Sequence, residues 1–145
     1  MSKKDTIDKL VKKITEFEKS YKRAVDRNIK KLGVSPSQFK VLKTLGERGS
    51  LKFKDVCDAT LITKGTMTGV VNRLIKAGLV EKEQDVKDTR AWILSLTPKG
   101  KVDYVSLNKN YSQLVSSIFK GETEERLKQY ITQLNSLQAI INQSV

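Results

Sequence analysis

The chain has 145 residues, 38% of them apolar and 30% charged, which is enough to bury a core without disulfides or metals. Lys and Arg outnumber Asp and Glu by 28 to 16, and the net charge of +12 predicts attraction to a polyanion, either nucleic acid or an anionic membrane surface. One cysteine excludes an internal disulfide, and the absence of histidine removes the commonest metal ligand and general base, so no metal site and no cofactor is expected.

Before its first helix the chain shows no apolar leader, and no stretch approaches 18 apolar residues, so a cytoplasmic protein without a membrane segment is expected. The charge is uneven. Residues 1–47 carry 13 basic and 6 acidic side chains and residues 48–101 carry 11 and 6, whereas residues 102–145 carry 4 and 4. A positive front with a neutral tail suggests a polyanion-facing part and a part with another duty. The plainer explanation of the charge is lysine used for solubility.

In chain order, Ile7, Leu10, Ile14, Phe17, Tyr21 and Ala24 alternate spacings of three and four, with Val11 and Val25 broadening the stripe. That is a heptad-like seam on a long helix, and it needs a partner from its own chain or a second subunit. Gly33 ends this region. Ser35, Pro36 and Gln38 then form a capping-box start to a helix whose apolar face is Phe39, Val41, Leu42 and Leu45. It stops near Gly46 to Gly49. A short helix over Phe53 to Ala59 turns Val56 and Cys57 inward, and Leu61-Ile62 connect tightly to Thr63, the N-cap of the next helix.

That helix buries Met67, Val70, Val71 and Leu74 and ends at Gly78, which suits a left-handed C′ position. Leu79–Glu83 and Ala91–Leu96 read as strands, the second alternating Trp92, Leu94 and Leu96, with a polar turn Gln84–Arg90 between them. Thr97-Pro98 starts another helix, with Tyr104, Leu107, Tyr111, Leu114 and Ile118 on one stripe. Gly121 breaks it, and a last helix carries Leu127, Ile131, Leu134, Leu137 and Ile141. No internal repeat or low-complexity linker is present. The order of four helices, a hairpin and two helices gives a mainly α fold with a small β wing (α+β). It is a winged helix-turn-helix over 35–100, flanked by dimerisation helices over 1–34 and 101–145.

The run Gly65-Thr66-Met67-Thr68-Gly69-Val70-Val71-Asn72-Arg73-Leu74, then Gly78-Leu79-Val80, Asp88-Thr89-Arg90 and Leu94-Ser95-Leu96-Thr97-Pro98-Lys99-Gly100, resembles the MarR family of bacterial transcriptional regulators. Each motif is weak alone; four in this order and spacing are specific. The resemblance implies a homodimer reading double-stranded DNA at a pseudo-palindromic operator, usually as a repressor relieved by a small ligand or by oxidation.

On the recognition helix, Lys64, Gly65, Thr68, Gly69, Asn72 and Lys76 remain outside the buried stripe. Small residues there let the backbone approach bases closely, and Thr68 can touch a thymine methyl or an edge acceptor. Thr63 and Thr66 sit in the first turn, where free amides favour a phosphate. Arg73 grips the DNA backbone or packs the helix to the wing. The wing contributes Lys82, Lys87 and Arg90. By resemblance, Arg90 enters the minor groove with Asp88 orienting its guanidinium, which a narrow A·T-rich groove would favour. The plain alternative for Asp88 and Arg90 is a surface ion pair.

Cys57 sits at a small inward position beside Asp55 and Asp58, which disfavour a thiolate, so it reads as a buried structural cysteine and not an oxidant sensor. By resemblance, a small aromatic or apolar effector would bind in a crevice that Phe17, Tyr21, Phe39 and Tyr104 could line, but aromatics at helical spacing are more often core. A winged helix mediating protein contacts, with incidental charge, is the rival class. An enzyme acting on nucleic acid lacks histidine, clustered acids and a glycine-rich phosphate loop.

Overall fold

Ser2 opens the first helix, one turn before the apolar seam begins: its Oγ accepts from the Asp5 amide at 3.1 Å while Asp5 accepts from the Ser2 amide at 2.9 Å. The computed structural model describes residues 1–145 and divides them into two compact units, Met1–Gln113 and Leu114–Val145. In the first unit, α1 (Lys3–Lys30) is followed by α2 (Pro36–Arg48), β1 (Leu51–Lys52), α3 (Phe53–Thr60), α4 (Lys64–Lys76), β2 (Val80–Gln84), β3 (Trp92–Leu96) and the start of α5 (Pro98–Ile118). The second unit holds the end of α5 and α6 (Glu124–Gln143).

The expected capping box of α2 is present, with Ser35 Oγ and Gln38 Oε1 each accepting the other's amide at 3.1 Å. Thr63 caps α4 through the Thr66 amide at 3.4 Å, and Thr123 caps α6 through the Arg126 amide at 3.2 Å. Gly78 has φ +76 and ends α4, with its amide donating to Ile75 O at 2.9 Å and the Leu79 amide to Leu74 O at 3.0 Å.

The wing departs from the sequence expectation. It is a three-stranded antiparallel sheet in the order β1-β3-β2, not a two-stranded ribbon, because Leu51 and Lys52 pair with Leu94 and Ile93. Strand β2 runs one residue later than the pattern suggests. Trp92 also departs: it continues the alternation of Leu94 and Leu96 but remains 39% exposed.

The core gathers Val41, Leu42 and Leu45 of α2, Val56 and Cys57 of α3, Met67, Val70, Val71 and Leu74 of α4, and Val80, Leu94 and Leu96 of the sheet. All four apolar positions expected inward on α4 are therefore buried. No buried side-chain nitrogen or oxygen lacks a hydrogen-bond partner. By contrast, the α1 seam of Ile7, Leu10, Val11, Ile14, Phe17 and Tyr21 is exposed throughout; only Asn28 and Ile29 of that helix are buried. In the second unit, α6 buries no residue, and Ile131, Leu134 and Ile141 are exposed. No helix is long and apolar enough to cross a membrane.

Candidate nucleic-acid interface

Helix α4 presents one polar face because its other face is committed to the core. Thr63, Lys64, Gly65, Thr66, Thr68, Asn72, Arg73 and Lys76 are exposed, and Gly69 is half-buried. The cap leaves first-turn amides near Thr63 and Thr66, whose hydroxyls lie 3.3 Å apart. Thr68 donates its hydroxyl to Lys64 O at 3.0 Å, which fixes its rotamer and turns its methyl and lone pairs to a defined side. A Cβ built on Gly65 or Gly69 meets nothing within 4 Å. Neither glycine is required by packing, although an interior helical glycine costs about 1 kcal/mol relative to alanine.

The wing turn is held from within. The Asp85 amide donates to Ala91 O at 2.9 Å, and Asp85 Oδ1 accepts the Lys87 amide at 3.1 Å. Lys52 Nζ lies 3.5 Å from the same carboxylate, tying β1 to the turn. Beyond this anchor, Asp88 Oδ1 accepts the Arg90 amide at 3.1 Å and lies 3.5 Å from Arg90 Nε. The Arg90 side chain is nonetheless 93% exposed, so this contact orients the guanidinium while leaving its outer donors free. Lys87 is exposed in the same turn, and Lys82 on β2 rests its ammonium 4.8 Å from the Trp92 ring centroid.

The Leu94–Gly100 motif does a different job from the residues around it. Thr97 Oγ1 donates to Gly78 O at 2.5 Å and accepts the Gly100 amide at 3.0 Å. Lys99 Nζ donates to Ala77 O at 3.1 Å, satisfying a carbonyl at the end of α4. A Cβ on Gly100 would collide with the Leu79 carbonyl. These residues lock the end of α4, the start of β2 and the start of α5 together, so the recognition helix and wing are held in one orientation. Sequence reading places Asp85 and Lys52 in no role, because a turn carboxylate and a lysine 33 residues upstream share no local pattern.

The four aromatics considered for an effector crevice differ in their surroundings. Phe17 and Tyr21 stack on exposed α1 with centroids 6.3 Å apart. Phe39 is buried against Tyr111 at 4.8 Å, with Lys43 Nζ 5.2 Å from the Tyr111 ring. Burial, and secondarily the charge of Tyr21, raises the Tyr111 phenol above its ordinary pKa. Tyr104 lies elsewhere, over Gly46, lining a shallow groove with Leu45, Leu96 and Val105. Cys57 is buried, and burial followed by the charge of Asp58 raises its thiol pKa, with Lys64 opposing.

Known proteins share this arrangement. A model of the MarR family matches residues 32–91. The HTH-type transcriptional repressor MdtR of Bacillus subtilis (strain 168) is 28% identical over 102 residues, covering 70% of this chain and 66% of that protein. The crystal structure of a mutant MarR from E. coli has a TM-score of 0.77 at 20% identity, covering 89% of this chain and 96% of that one. A structure of Bordetella bronchiseptica BpsR, described for regulation of its DNA binding by 6-hydroxynicotinic acid, has a TM-score of 0.68 at 24% identity and covers 85% and 98%. The chain belongs to the MarR family of transcriptional regulators.

Proposed function

We propose that this regulator is a homodimeric repressor that binds a pseudo-palindromic operator through α4 and the wing. The observation that carries the reading is the pairing of an open polar face on α4 with a wing arginine that is anchored through its backbone and 93% exposed. In this reading Thr63 and Thr66 take a phosphate at the helix N-terminus, Thr68, Asn72 and Lys64 meet base edges, and Gly65 and Gly69 let the backbone come close. Arg73, Lys76, Lys82 and Lys87 hold phosphates, and Arg90 enters the adjacent minor groove with Asp88 at its base.

Residues 35–100 form the DNA-reading module, and 1–34 and 101–145 supply the pairing helices. The exposed seam of α1 supports this, since so long an apolar stripe in water favours a second copy. Repression follows from occupancy of the operator, as in the relative named a repressor. A small aromatic or apolar effector releases it, with the stacked Phe17 and Tyr21 offering an exposed aromatic surface; the BpsR description supports ligand control in this fold.

A footprint on DNA upstream of the protein's own gene tests this. Protection of an inverted repeat with half-sites about 10 bp apart is the expected result. A protein that protects no DNA, yet retains a partner protein through the same face, would replace this reading with a protein-interaction module.

A further inference from the structure

The wing sheet has two faces of opposite character. Residues directly opposed across antiparallel strands share a face. Val80 with Leu96, Lys82 with Leu94 and Gln84 with Trp92 therefore lie on one face, and Glu81 with Ser95 and Glu83 with Ile93 on the other. The first face is the one that packs into the core with Val70, Val71 and Leu74 of α4. The two acids of β2 are thus kept off the α4 side of the sheet. Outward from Leu94 the helical cover ends, and the same face continues with Lys82, Gln84 and Trp92, all exposed. Trp92 is the chain's only tryptophan, and Lys82 lies over its ring.

We propose that Trp92 is a DNA-contacting residue of the wing, taking a backbone phosphate jointly with the Lys82 ammonium that it carries. This rests on the reading of the wing as a DNA-binding element. The ring's negative face attracts the ammonium and holds a long flexible side chain near one position, so less freedom is lost when a phosphate arrives. The indole adds an N–H donor with no acceptor function, and phosphate oxygens take such donors from side chains of many kinds. With Glu81 and Glu83 on the opposite face, only the Trp92 face of the hairpin favours a polyanion. A buried alternation residue would have packed; this one leaves its ring at the surface, beyond the helical cover of that face.

Excited at the red edge of the absorption band, where the four tyrosines do not absorb, the fluorescence of the full chain reports Trp92 alone. Titration with an A·T-rich duplex carrying the footprinted site should change the indole emission, saturating together with binding measured by anisotropy. Trp92→Ala should weaken binding about tenfold and reduce the log–log salt slope by about 0.9, the value for one phosphate, and Lys82→Ala should do the same. Trp92→Phe keeps a ring under the ammonium and should keep the slope. A purely structural role for Trp92 would leave the slope unchanged. Unchanged emission at saturation, or Trp92→Ala binding with native affinity and slope, overturns the proposal. Should Arg90→Ala also bind like the native chain, the wing reading itself fails; should Arg90→Ala alone be impaired, only the Trp92 contact does. The fluorescence measurement uses the native chain and holds even where a variant folds poorly.

Discussion

Gly69 sets a stability preference against a binding preference at a single position. Its Cβ site is open, so Gly69→Ala should raise stability by about 0.5–1 kcal/mol through helix propensity. In the proposed complex the same methyl group stands between the helix and the bases, so DNA affinity should fall. Urea unfolding and anisotropy on the same preparation check both signs, and unaltered affinity would remove Gly69 from the interface. Cys57 makes a second prediction. Its raised thiol pKa means that the folded chain keeps a proton that the unfolded chain releases, so stability present at neutral pH should decline as pH rises above about 8.5. Tyr104 and Tyr111, both raised by burial, extend the decline at higher pH. Urea midpoints across that range should fall for the native chain and fall less at the start for Cys57→Ala; a flat profile would contradict the burial argument. At this scale the outer face of α4 is legible in the sequence because four buried positions define what remains. Trp92 is not, because period-two alternation tells which face a strand residue takes, but not where the cover of that face ends.

Element boundaries follow their caps. Ser35 with Gln38, Thr63 and Gly78 each mark a helix end that the sequence predicts, because capping is a local interaction between near neighbours. Strand β1 is only two residues long, too short to show a period, and its pairing with β3 spans more than 40 residues, so the three-stranded sheet is not legible locally. Likewise, helical spacing puts Phe17, Tyr21, Phe39 and Tyr104 on faces without giving their depth, and only Phe39 is buried. The contact of Gly100 with the Leu79 backbone packs the start of α5 against the link between α4 and β2. Gly100→Ala should lower stability by about 1–3 kcal/mol, because the added methyl displaces backbone and not a flexible side chain. An unchanged melting temperature would show that this junction yields easily.

The first unit leaves the seam of α1 uncovered, and that seam is where we place the second copy. Ile14→Glu removes nothing from the buried core, so it should leave the fold intact while shifting the monomer–dimer equilibrium about tenfold or more toward monomer in sedimentation experiments. A dimer of native strength would place the contact elsewhere. The net charge of +12 concerns the molecule as a whole, and the family assignment makes DNA its polyanion. How that charge is used depends on the wing: the account requires electrostatic docking completed by Arg90. The most direct measurement is operator binding by the native chain and by Arg90→Ala across a salt series. The native chain should lose affinity with a log–log slope near −0.9 per phosphate neutralised, and Arg90→Ala should remain folded and bind at least about tenfold more weakly. Equal affinity of the two at fixed salt, or a native complex indifferent to salt, would contradict it.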